Sequence, residues 1–597
     1  MRLLRILLSP LALLWRLLFR PLHLRRRARA LLPHGWLELH VEGEILELRP
    51  NETRGERWVR RILRREPPKR VVLSRLRKMV DEALSDPHLK GLLVQIGPIA
   101  GGWAGADEVR GQLARFRAAK VPVLVHLKGH AGNVELLVAS VATQLWMTPP
   151  GGWAAVGSAA QGLFLQPLLS KVGIKFEVAA RGRYKSAPEQ LTRGDRSEPS
   201  REQTQALIDA FDGALLDGLA QLYSTDRAGA EQRVDRAPLV GTHALAEGHC
   251  HALVRSEDLT GKVAEFAQVK DDDPKKRFRL VGAGGYLEAR TLSPLWPRRR
   301  KKLGIVEVHG AIVDQAPGGP PGGSGRAAVE AAVVADLRAA LADPHIGAVI
   351  LHVNSRGGSV TASDGIYAAV RRLNQEKPVI ACFGEVAASG GYYVACGARA
   401  IVASPLTVTG SIGVFAMFPT WPGVTERLSI QHDVIKNRSH AALYDPWGGF
   451  DDEARALADR EVGAMYEDFL NLVATARKKT RDEIHAVAEG RVWTGAEALR
   501  VGLVDGLGGL SEAARRAREA YGKPLEEELV LVKARGHETR PLPFRAEKAA
   551  QLALPLDWLE AWAGPDASLE VLQELAALIR GRGPRPISLA YWPWSWR

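Results

Sequence analysis

The stretch AALADPHIGAVILHVNSRGG at residues 339–358 joins a helical pattern, a continuous apolar run and a pair of glycines. A closely similar stretch, EALSDPHLKGLLVQIGPIAGG, occupies residues 82–102. Gly357 and Gly101 are 256 residues apart, and nearly the same offset relates other similar segments of the two halves. An offset that persists over about 200 residues indicates an internal duplication.

Apolar runs and helical patterns alternate throughout the second copy. Runs rich in Val and Ile are typical of buried strands, and the segments between them have helical periodicity. The predicted strands are 303–313, 346–354, 378–384 and 400–404, and the predicted helices are 331–343, 362–376, 389–398 and 452–479. Because such alternation is typical of a parallel sheet covered by helices, we predict an α/β fold with two tandem domains of one type.

Composition divides the chain into five segments. We predict an amphipathic membrane-anchoring segment at 1–33, the first repeat at 34–270, a basic linker at 271–302, the second repeat at 303–540 and a C-terminal tail at 541–597. A length of 597 residues agrees with two or more domains. The tail ends in YWPWSWR, which suits a membrane interface or a subunit contact, or equally a disordered end.

The net charge of +14 is concentrated in basic clusters, chiefly at 25–29 and 298–302. Such clusters suit anionic lipid head groups or nucleic acid, or simply solvated linkers. The sequence contains no zinc-finger, RNA-recognition or helix-turn-helix signature, so we predict no nucleic-acid partner. The three cysteines are too few and too scattered for a disulfide framework or a zinc site.

The first 24 residues, MRLLRILLSPLALLWRLLFRPLHL, combine leucines with spaced arginines. Their longest charge-free run, 6–15, gives about 15 Å of helix, whereas a hydrocarbon core is about 30 Å thick. On a helical projection the polar residues share a face about 60° wide. We therefore predict a helix that lies in the membrane interface; a poor spanning helix and an uncleaved signal anchor are the alternatives.

A serine in the second copy is a candidate nucleophile. In GEVAASGGYYVACGA, residues 384–398, Ser389 stands between a predicted strand and a predicted helix. A helix N-terminus favours negative charge, and Gly390 and Gly391 would let a substrate backbone come close. The alternative is that the Ser389 hydroxyl only caps the helix.

A glycine pair is a candidate oxyanion hole. In NSRGGSV, residues 354–360, Gly357 and Gly358 follow a buried strand and expose backbone N–H groups, which can hold a developing oxyanion. A plain turn after a strand is the alternative for such a pair.

No histidine lies beside Ser389, so a lysine is the candidate base. Lysine serves only when neutral, and burial lowers a lysine pKa by about 3–5 units. Lys185 in ARGRYKSAPEQL follows an apolar strand, although a surface lysine is the alternative. The first copy has Lys185 but Asn133 at the serine position, whereas the second has Ser389 but Ala441 at the offset position of the lysine. This complementary loss indicates one composite site in a duplicated enzyme.

Five motifs together carry a family resemblance. They are NSRGGS, GEVAASGGYYVACGA, LTVTGSIGVF, GRVWTGAEALRVGLVDGLGG and GRYKSAPEQ, all within residues 34–540. They resemble the motifs of the signal peptide peptidase A family in its long, duplicated form. The resemblance implies a Clp-protease/crotonase-type fold, a membrane-bound serine protease and a homo-oligomer, with a tetramer as the expected form.

The resemblance also implies roles for individual residues. Ser389 would be the nucleophile, Lys185 the general base, and Ser411 the group that hydrogen-bonds and orients the lysine. The oxyanion donors would be the backbone N–H groups of Gly357, Gly358 and Gly390. Two features depart from the family pattern: Arg356 replaces the usual proline before the glycine pair, and the arginine-striped helix replaces a spanning helix.

We therefore predict a serine endopeptidase with a Ser–Lys dyad that needs no cofactor or metal. Its expected substrates are hydrophobic peptides such as cleaved signal peptides, and the family resemblance implies a location at the bacterial inner membrane. The basic residues after the anchor leave the side of the membrane open. The alternatives are a crotonase-like acyl-CoA enzyme, which shares the glycine oxyanion hole, and a non-catalytic membrane scaffold on the same fold.

Overall fold

The structure is a computed structural model that describes residue 32 and residues 34–48, 69–269, 278–290, 301–315 and 327–534. The predicted membrane anchor, apart from Leu32, and the predicted C-terminal tail lie outside the described residues. Within the described part of the chain, no helix is both long and apolar enough to cross a membrane.

The chain forms two compact units, and each is assembled from two separate segments. Unit 1 contains the described residues up to 158 together with those from 210 to 300. Unit 2 contains residues 159–209 together with the described residues from 301 onward. Residues 159–209, which lie in the first repeat by sequence, therefore fold as part of unit 2.

The strands of the described residues are numbered in chain order. They are β1 (Trp36–Leu46), β2 (Arg70–Val72), β3 (Gly91–Ala100), β4 (Val123–Leu127), β5 (His130–Ala131), β6 (Gln144–Met147), β7 (Gly152–Trp153), β8 (Lys175–Arg181), β9 (Leu239–Val240), β10 (Ala252–Leu253), β11 (Val281–Gly282), β12 (Lys301–His309), β13 (Ala311–Val313), β14 (Ala327–Val329), β15 (Ile346–Ser355), β16 (Val379–Ala388), β17 (Ala400–Ala403), β18 (Val408–Gly410), β19 (Val414–Thr420), β20 (Val492–Thr494), β21 (Gly506–Leu507) and β22 (Leu525–Leu531).

The α-helices of the described residues are numbered in the same way. They are α1 (Leu73–Leu84), α2 (Trp103–Ala118), α3 (Asn133–Ala139), α4 (Gln166–Lys171), α5 (Glu189–Thr192), α6 (Glu198–Tyr223), α7 (Arg227–Val234), α8 (Gly241–Ala246), α9 (Leu259–Phe266), α10 (Ala283–Arg290), α11 (Glu330–Ala342), α12 (Val360–Glu376), α13 (Gly390–Ala395), α14 (Pro422–Arg427), α15 (Asp452–Arg477), α16 (Arg481–Val487), α17 (Gly495–Arg500) and α18 (Leu510–Tyr521).

Each unit contains one large sheet, and the two sheets share a strand order. In unit 1 the order is β10-β6-β4-β3-β1-β11, and in unit 2 the matching path is β21-β17-β16-β15-β12-β22. All strand pairs along both paths are parallel. The predicted tandem α/β fold, with parallel sheets flanked by helices, is confirmed.

Burial explains why the middle of unit 2 forms a parallel strand and a covering helix. All but one of the ten residues of β15 are buried, as expected for a strand covered on both faces. In α12 the Ser359 hydroxyl caps the helix by accepting from the N–H of Ala362, and Ile366, Val370 and Leu373 form its buried face. Each such side chain contributes on the order of 1.5–3 kcal/mol on burial. The glycine turn predicted to follow the strand therefore lies between two rigid elements.

A two-stranded antiparallel ribbon also belongs to unit 2. β8 pairs with β19 along seven residues, from Lys175 opposite Thr420 to Arg181 opposite Val414. Residues 429–442 resemble residues 173–186 faintly in sequence, which predicts a second copy of this strand. That repeat is not reproduced, because residues 431–437 form no strand and the segment ends in an exposed 3-10 helix, Ser439–Ala442.

The predicted linker at 271–302 is wrong for residues 278–290. β11 extends the sheet of unit 1 by pairing with β1, and α10 follows it directly. The hydroxyl of the buried Tyr286 donates to Asp86 Oδ2 at 2.9 Å, and the Arg290 guanidinium donates to the same carboxylate at 2.7 Å. The charge run that suggested a linker therefore flanks a packed helix.

Candidate active site

Ser389 lies at the junction between β16 and α13, in a conformation that few non-glycine residues adopt. Its φ is 54° and its ψ is −121°. Strain of this kind costs on the order of 1–3 kcal/mol and persists only where the surroundings hold it. Two backbone hydrogen bonds do so: Ser389 N–H donates to the Gly410 carbonyl, and the Tyr393 N–H donates to the Ser389 carbonyl, each at 2.9 Å.

The Ser389 hydroxyl does not cap the helix that follows it. Ser389 occupies the N-cap position of α13, but its side chain makes no capping hydrogen bond. The capping alternative is therefore wrong. The hydroxyl oxygen instead lies 2.9 Å from the amine nitrogen of Lys185. The turn thus presents the hydroxyl to a second side chain rather than to its own helix.

The two glycines after Ser389 are required by packing against the rest of unit 2. A Cβ on Gly390 would stand 2.5 Å from Ser363 Oγ, and one on Gly391 would stand 2.6 Å from the Ser355 carbonyl oxygen. From the sequence, Gly390 and Gly391 were expected to let a substrate backbone come close. In the structure they allow α13 to approach β15 and α12 closely enough to set the position of Ser389.

Lys185 follows the end of β8 by four residues, and its amine is enclosed by protein. Desolvation lowers the pKa of Lys185 from its ordinary value of 10.5 to about 7. Besides Ser389 Oγ, the amine nitrogen contacts the Ser411 carbonyl oxygen and Ser411 Oγ, both at 3.0 Å. The alternative of a solvated surface lysine is wrong, because Lys185 is only partly exposed and its amine makes three contacts with protein oxygens.

A glycine that the sequence analysis missed allows Lys185 to reach this place. Gly490 has φ +76°, and a Cβ there would stand 2.7–2.8 Å from Lys185 N, Cα and Cβ. The neighbouring Glu489 carbonyl accepts a hydrogen bond from the Tyr184 N–H at 2.9 Å. Gly490 is the first residue of the motif GRVWTG, which was noted in the sequence. The motif alone does not reveal that Gly490 packs against Lys185.

Ser411 lies between β18 and β19, with a positive φ of 51°. Its N–H donates to the Arg491 carbonyl at 2.7 Å, which holds the residue in place. Its carbonyl oxygen and hydroxyl oxygen both face the Lys185 amine. Ser411 is therefore placed to set the direction in which the amine points.

We expect Ser411→Ala to lower kcat about 10-fold and to leave KM within about 2-fold. The substitution removes one of the two oxygens of Ser411 that orient the amine and leaves the backbone carbonyl in place. Steady-state hydrolysis of a fluorogenic hydrophobic peptide measures the effect. Ser404→Ala, at a buried serine elsewhere in unit 2, is the control, and an unchanged kcat in Ser411→Ala would deny Ser411 this role.

The three predicted oxyanion donors are not equivalent. The Gly357 N–H donates to Ser355 Oγ at 3.1 Å, so this donor already has an acceptor. Gly358 and Gly390 line the cavity beside Ser389, and a Cβ on Gly390 would stand 3.3 Å from Gly358 N. Because Gly390 begins α13, its N–H has no acceptor within the helix. Gly358 and Gly390 therefore fit the role better than Gly357.

The cavity beside Ser389 is small and largely apolar. Its volume is about 40 Å³. Besides Lys185, Ser389, Ser363 and glycine backbone, its lining consists of Val360, Tyr393, Val414, Phe415, Met465 and Phe469. The long helix α15 contributes Met465 and Phe469, and β19 contributes Val414 and Phe415. Among the described residues, no group of three or more His, Cys, Asp or Glu side chains is arranged to hold a metal ion.

In unit 1, Asn133 occupies the position that corresponds to Ser389, at the start of α3. Its side-chain amide donates to the Gly157 carbonyl at 2.7 Å. An amide is no nucleophile for acyl transfer. Unit 1 therefore keeps the strand–turn–helix geometry without the serine hydroxyl.

Comparison with known proteins identifies the family. The model of peptidase family S49 matches residues 115–270 and 371–523, and the model of Clp protease matches residues 323–406. A solved structure of a ClpP1 variant from Listeria monocytogenes is 15% identical and covers 35% of this chain and 93% of its own, with a TM-score of 0.23.

Curated relatives cover most of the chain. The chloroplastic serine protease SPPA of Arabidopsis thaliana is 28% identical over 77% of this chain and 67% of its own length. Protease 4 of Salmonella typhi is 30% identical over 74% of this chain and 70% of its own. Protease 4 of Haemophilus influenzae is 27% identical over 83% of this chain and 80% of its own. The predicted resemblance is confirmed, and the chain belongs to peptidase family S49, as a serine peptidase of the signal peptide peptidase A/protease 4 type.

Proposed function

We propose that the chain is a serine endopeptidase in which Ser389 is the nucleophile and Lys185 the general base. The observation that carries the proposal is the 2.9 Å contact between Ser389 Oγ and an amine whose pKa is about 7. At pH 7 about half of such amines are neutral, whereas a solvated lysine is neutral in less than about one part in a thousand. A neutral amine has a lone pair that can take the serine proton.

The three contacts of the amine suit this role. A neutral amine has two N–H groups and one lone pair. The two N–H groups donate to the carbonyl and hydroxyl oxygens of Ser411, and the lone pair then faces the Ser389 hydroxyl. In this state the Ser389 O–H donates to Lys185 Nζ, which is the arrangement that precedes attack.

The reaction then proceeds in two halves. Ser389 Oγ forms a bond to the peptide carbonyl carbon while its proton moves to Lys185 Nζ. The N–H groups of Gly358 and Gly390 stabilise the oxyanion, and the Lys185 ammonium returns its proton to the leaving amine as the C–N bond breaks. Water then attacks the acyl-enzyme ester while Lys185 takes a proton of the water. Lys185 returns that proton to Ser389 Oγ as the ester C–O bond breaks, which releases the carboxylic acid and restores the Ser389 hydroxyl.

The proposed substrates are hydrophobic peptides such as cleaved signal peptides. The apolar lining of the cavity supports this, because Val360, Val414 and Phe469 offer no charged partner to a side chain. We also propose that the protein acts at a membrane as a homo-oligomer. The arginine-striped segment at 1–33 supports membrane binding, and the family resemblance supports assembly.

A fluorophosphonate probe tests the proposed nucleophile. Ser389 Oγ should displace fluoride from phosphorus, and mass mapping should locate one adduct at Ser389. The labelling rate should rise with pH through about 7, because Lys185 must lose its proton before it can accept that of Ser389. Labelling by an acyl-CoA analogue without probe labelling would instead favour the crotonase-like enzyme. Labelling by neither reagent would favour the scaffold.

A further inference from the structure

Gln203, on α6, is a buried amide whose hydrogen bonds join two parts of unit 2. Its side chain is 2% exposed. Its amide nitrogen donates to the Tyr184 carbonyl at 3.0 Å and to Ser186 Oγ at 2.9 Å, and its amide oxygen accepts from the Val492 N–H at 3.2 Å. Both donated hydrogens and the acceptor are therefore in use.

The two groups that accept from Gln203 lie on either side of Lys185 in the chain. The loop that carries Lys185 begins where β8 ends, so no strand partner holds it. Within the loop, Lys185 N–H donates to the Gly182 carbonyl at 3.0 Å, and Ser186 N–H donates to the Tyr184 carbonyl at 2.8 Å. Gln203 ties this turn to α6, as does Glu202 of the same helix, which accepts from the Tyr184 hydroxyl at 2.8 Å.

The Val492 N–H, which donates to Gln203, lies next in the chain to the residue that holds Ser411. Val492 is the first residue of β20, which pairs antiparallel with β18, and Val492 is opposite Gly410. The preceding residue, Arg491, accepts a hydrogen bond from Ser411 N–H at 2.7 Å. One amide thus joins the loop that carries Lys185 to the segment that holds Ser411.

The position of the Lys185 amine matters because the amine must be shielded from water and directed at Ser389 Oγ. Its three contacts lie at 2.9–3.0 Å, and displacement of a reacting group by about 1 Å is enough to cost about 100-fold in rate. We propose that Gln203 is a positioning residue for the general base: it fixes the Lys185 loop against Val492 and so keeps the amine enclosed and aimed at Ser389. This inference rests on the proposed function of Lys185 as the base.

The test replaces Gln203 with methionine, which is similar in size and makes none of the three hydrogen bonds. A looser loop admits water to the amine, so the acid limb of the kcat/KM profile should move upward from about 7 by about one pH unit or more. The concentration of active sites is measured by titration of Ser389 with the fluorophosphonate probe. At pH 7, kcat per active site should fall about 10-fold or more, with KM within about 2-fold. Ser186→Ala, which removes one of the three bonds, should shift the limb in the same direction by less.

Gln205→Met is the matched control, because Gln205 lies on the same helix but bonds only Asp209 at an exposed site among the described contacts. It should leave the acid limb and kcat unchanged. The inference is overturned if Gln203→Met lowers the melting temperature or folded yield while the acid limb and kcat per labelled site stay wild-type. Turnover by Ser389→Ala would instead overturn the proposed function, so the two failures are distinguishable.

Discussion

Replacing Lys185 with methionine is expected to lower kcat about a thousandfold or more while the protein stays folded. The thioether fills the same narrow space but has no proton acceptor for the Ser389 hydroxyl. Burial of the amine opposes its charge, as its lowered pKa of about 7 indicates, so an uncharged side chain should keep or raise the melting temperature. Peptide hydrolysis and thermal unfolding of the purified full-length variant measure the two effects.

Lys377→Met is the matched control for that experiment. Lys377 is also a partly buried lysine of unit 2, and its amine donates to the carbonyls of Ala340 and Asp343 at 2.8 and 2.7 Å. Its loss should reduce stability and leave kcat near wild type. Ser389→Ala should match Lys185→Met in its loss of activity. If Lys185→Met turns over at the wild-type rate, another group is the base and the dyad is wrong.

The second large effect is expected when the second repeat is produced alone. Residues 303–597 contain Ser389, Ser411 and the glycine turn but lack residues 159–209, which supply Lys185 and β8 to unit 2. Without β8, the strand β19 loses its seven-residue partner, and Val414 and Phe415 beside the cavity lose their support. We expect no measurable peptide hydrolysis by this fragment.

The control is the same chain divided in two, with residues 1–302 and 303–597 produced together. Both segments of unit 2 are then present, so hydrolysis should return if they associate. Circular dichroism reports whether the lone fragment is folded. Substantial turnover by folded 303–597 would show that a base outside residues 159–209 serves Ser389, and it would remove Lys185 from the mechanism.

The parallel sheets and the tight turn at Ser389 could be predicted because their signals are local. A continuous apolar run such as that of β15 predicts a buried strand, and a serine followed by two glycines predicts a tight strand-to-helix turn. Lys185 could be found only by comparing the two copies, because a single lysine in a loop carries no local sign of burial. Its partner Ser389 lies 204 residues away.

Long-range pairing accounts for most of what the sequence analysis missed. The β8–β19 ribbon joins segments about 240 residues apart, and strand pairing depends on the partner as much as on intrinsic propensity. The numerical offset therefore placed a counterpart of Lys185 at Ala441, although residues 431–437 contain no strand. Residues 278–290 were similarly assigned to a linker because charged residues surround them in the sequence. Their contact with Asp86 joins positions 200 residues apart, so local composition does not reveal it.

The composite origin of unit 2 sets when activity can first arise during synthesis. Lys185 is made 204 residues before Ser389, and Gly490 and Arg491, which hold its loop and Ser411, follow about 100 residues later. At about 5–20 residues per second, the nascent chain carries the proposed base for about 10–40 s before the proposed nucleophile exists. The proposed site is therefore complete only when nearly all of unit 2 has been translated.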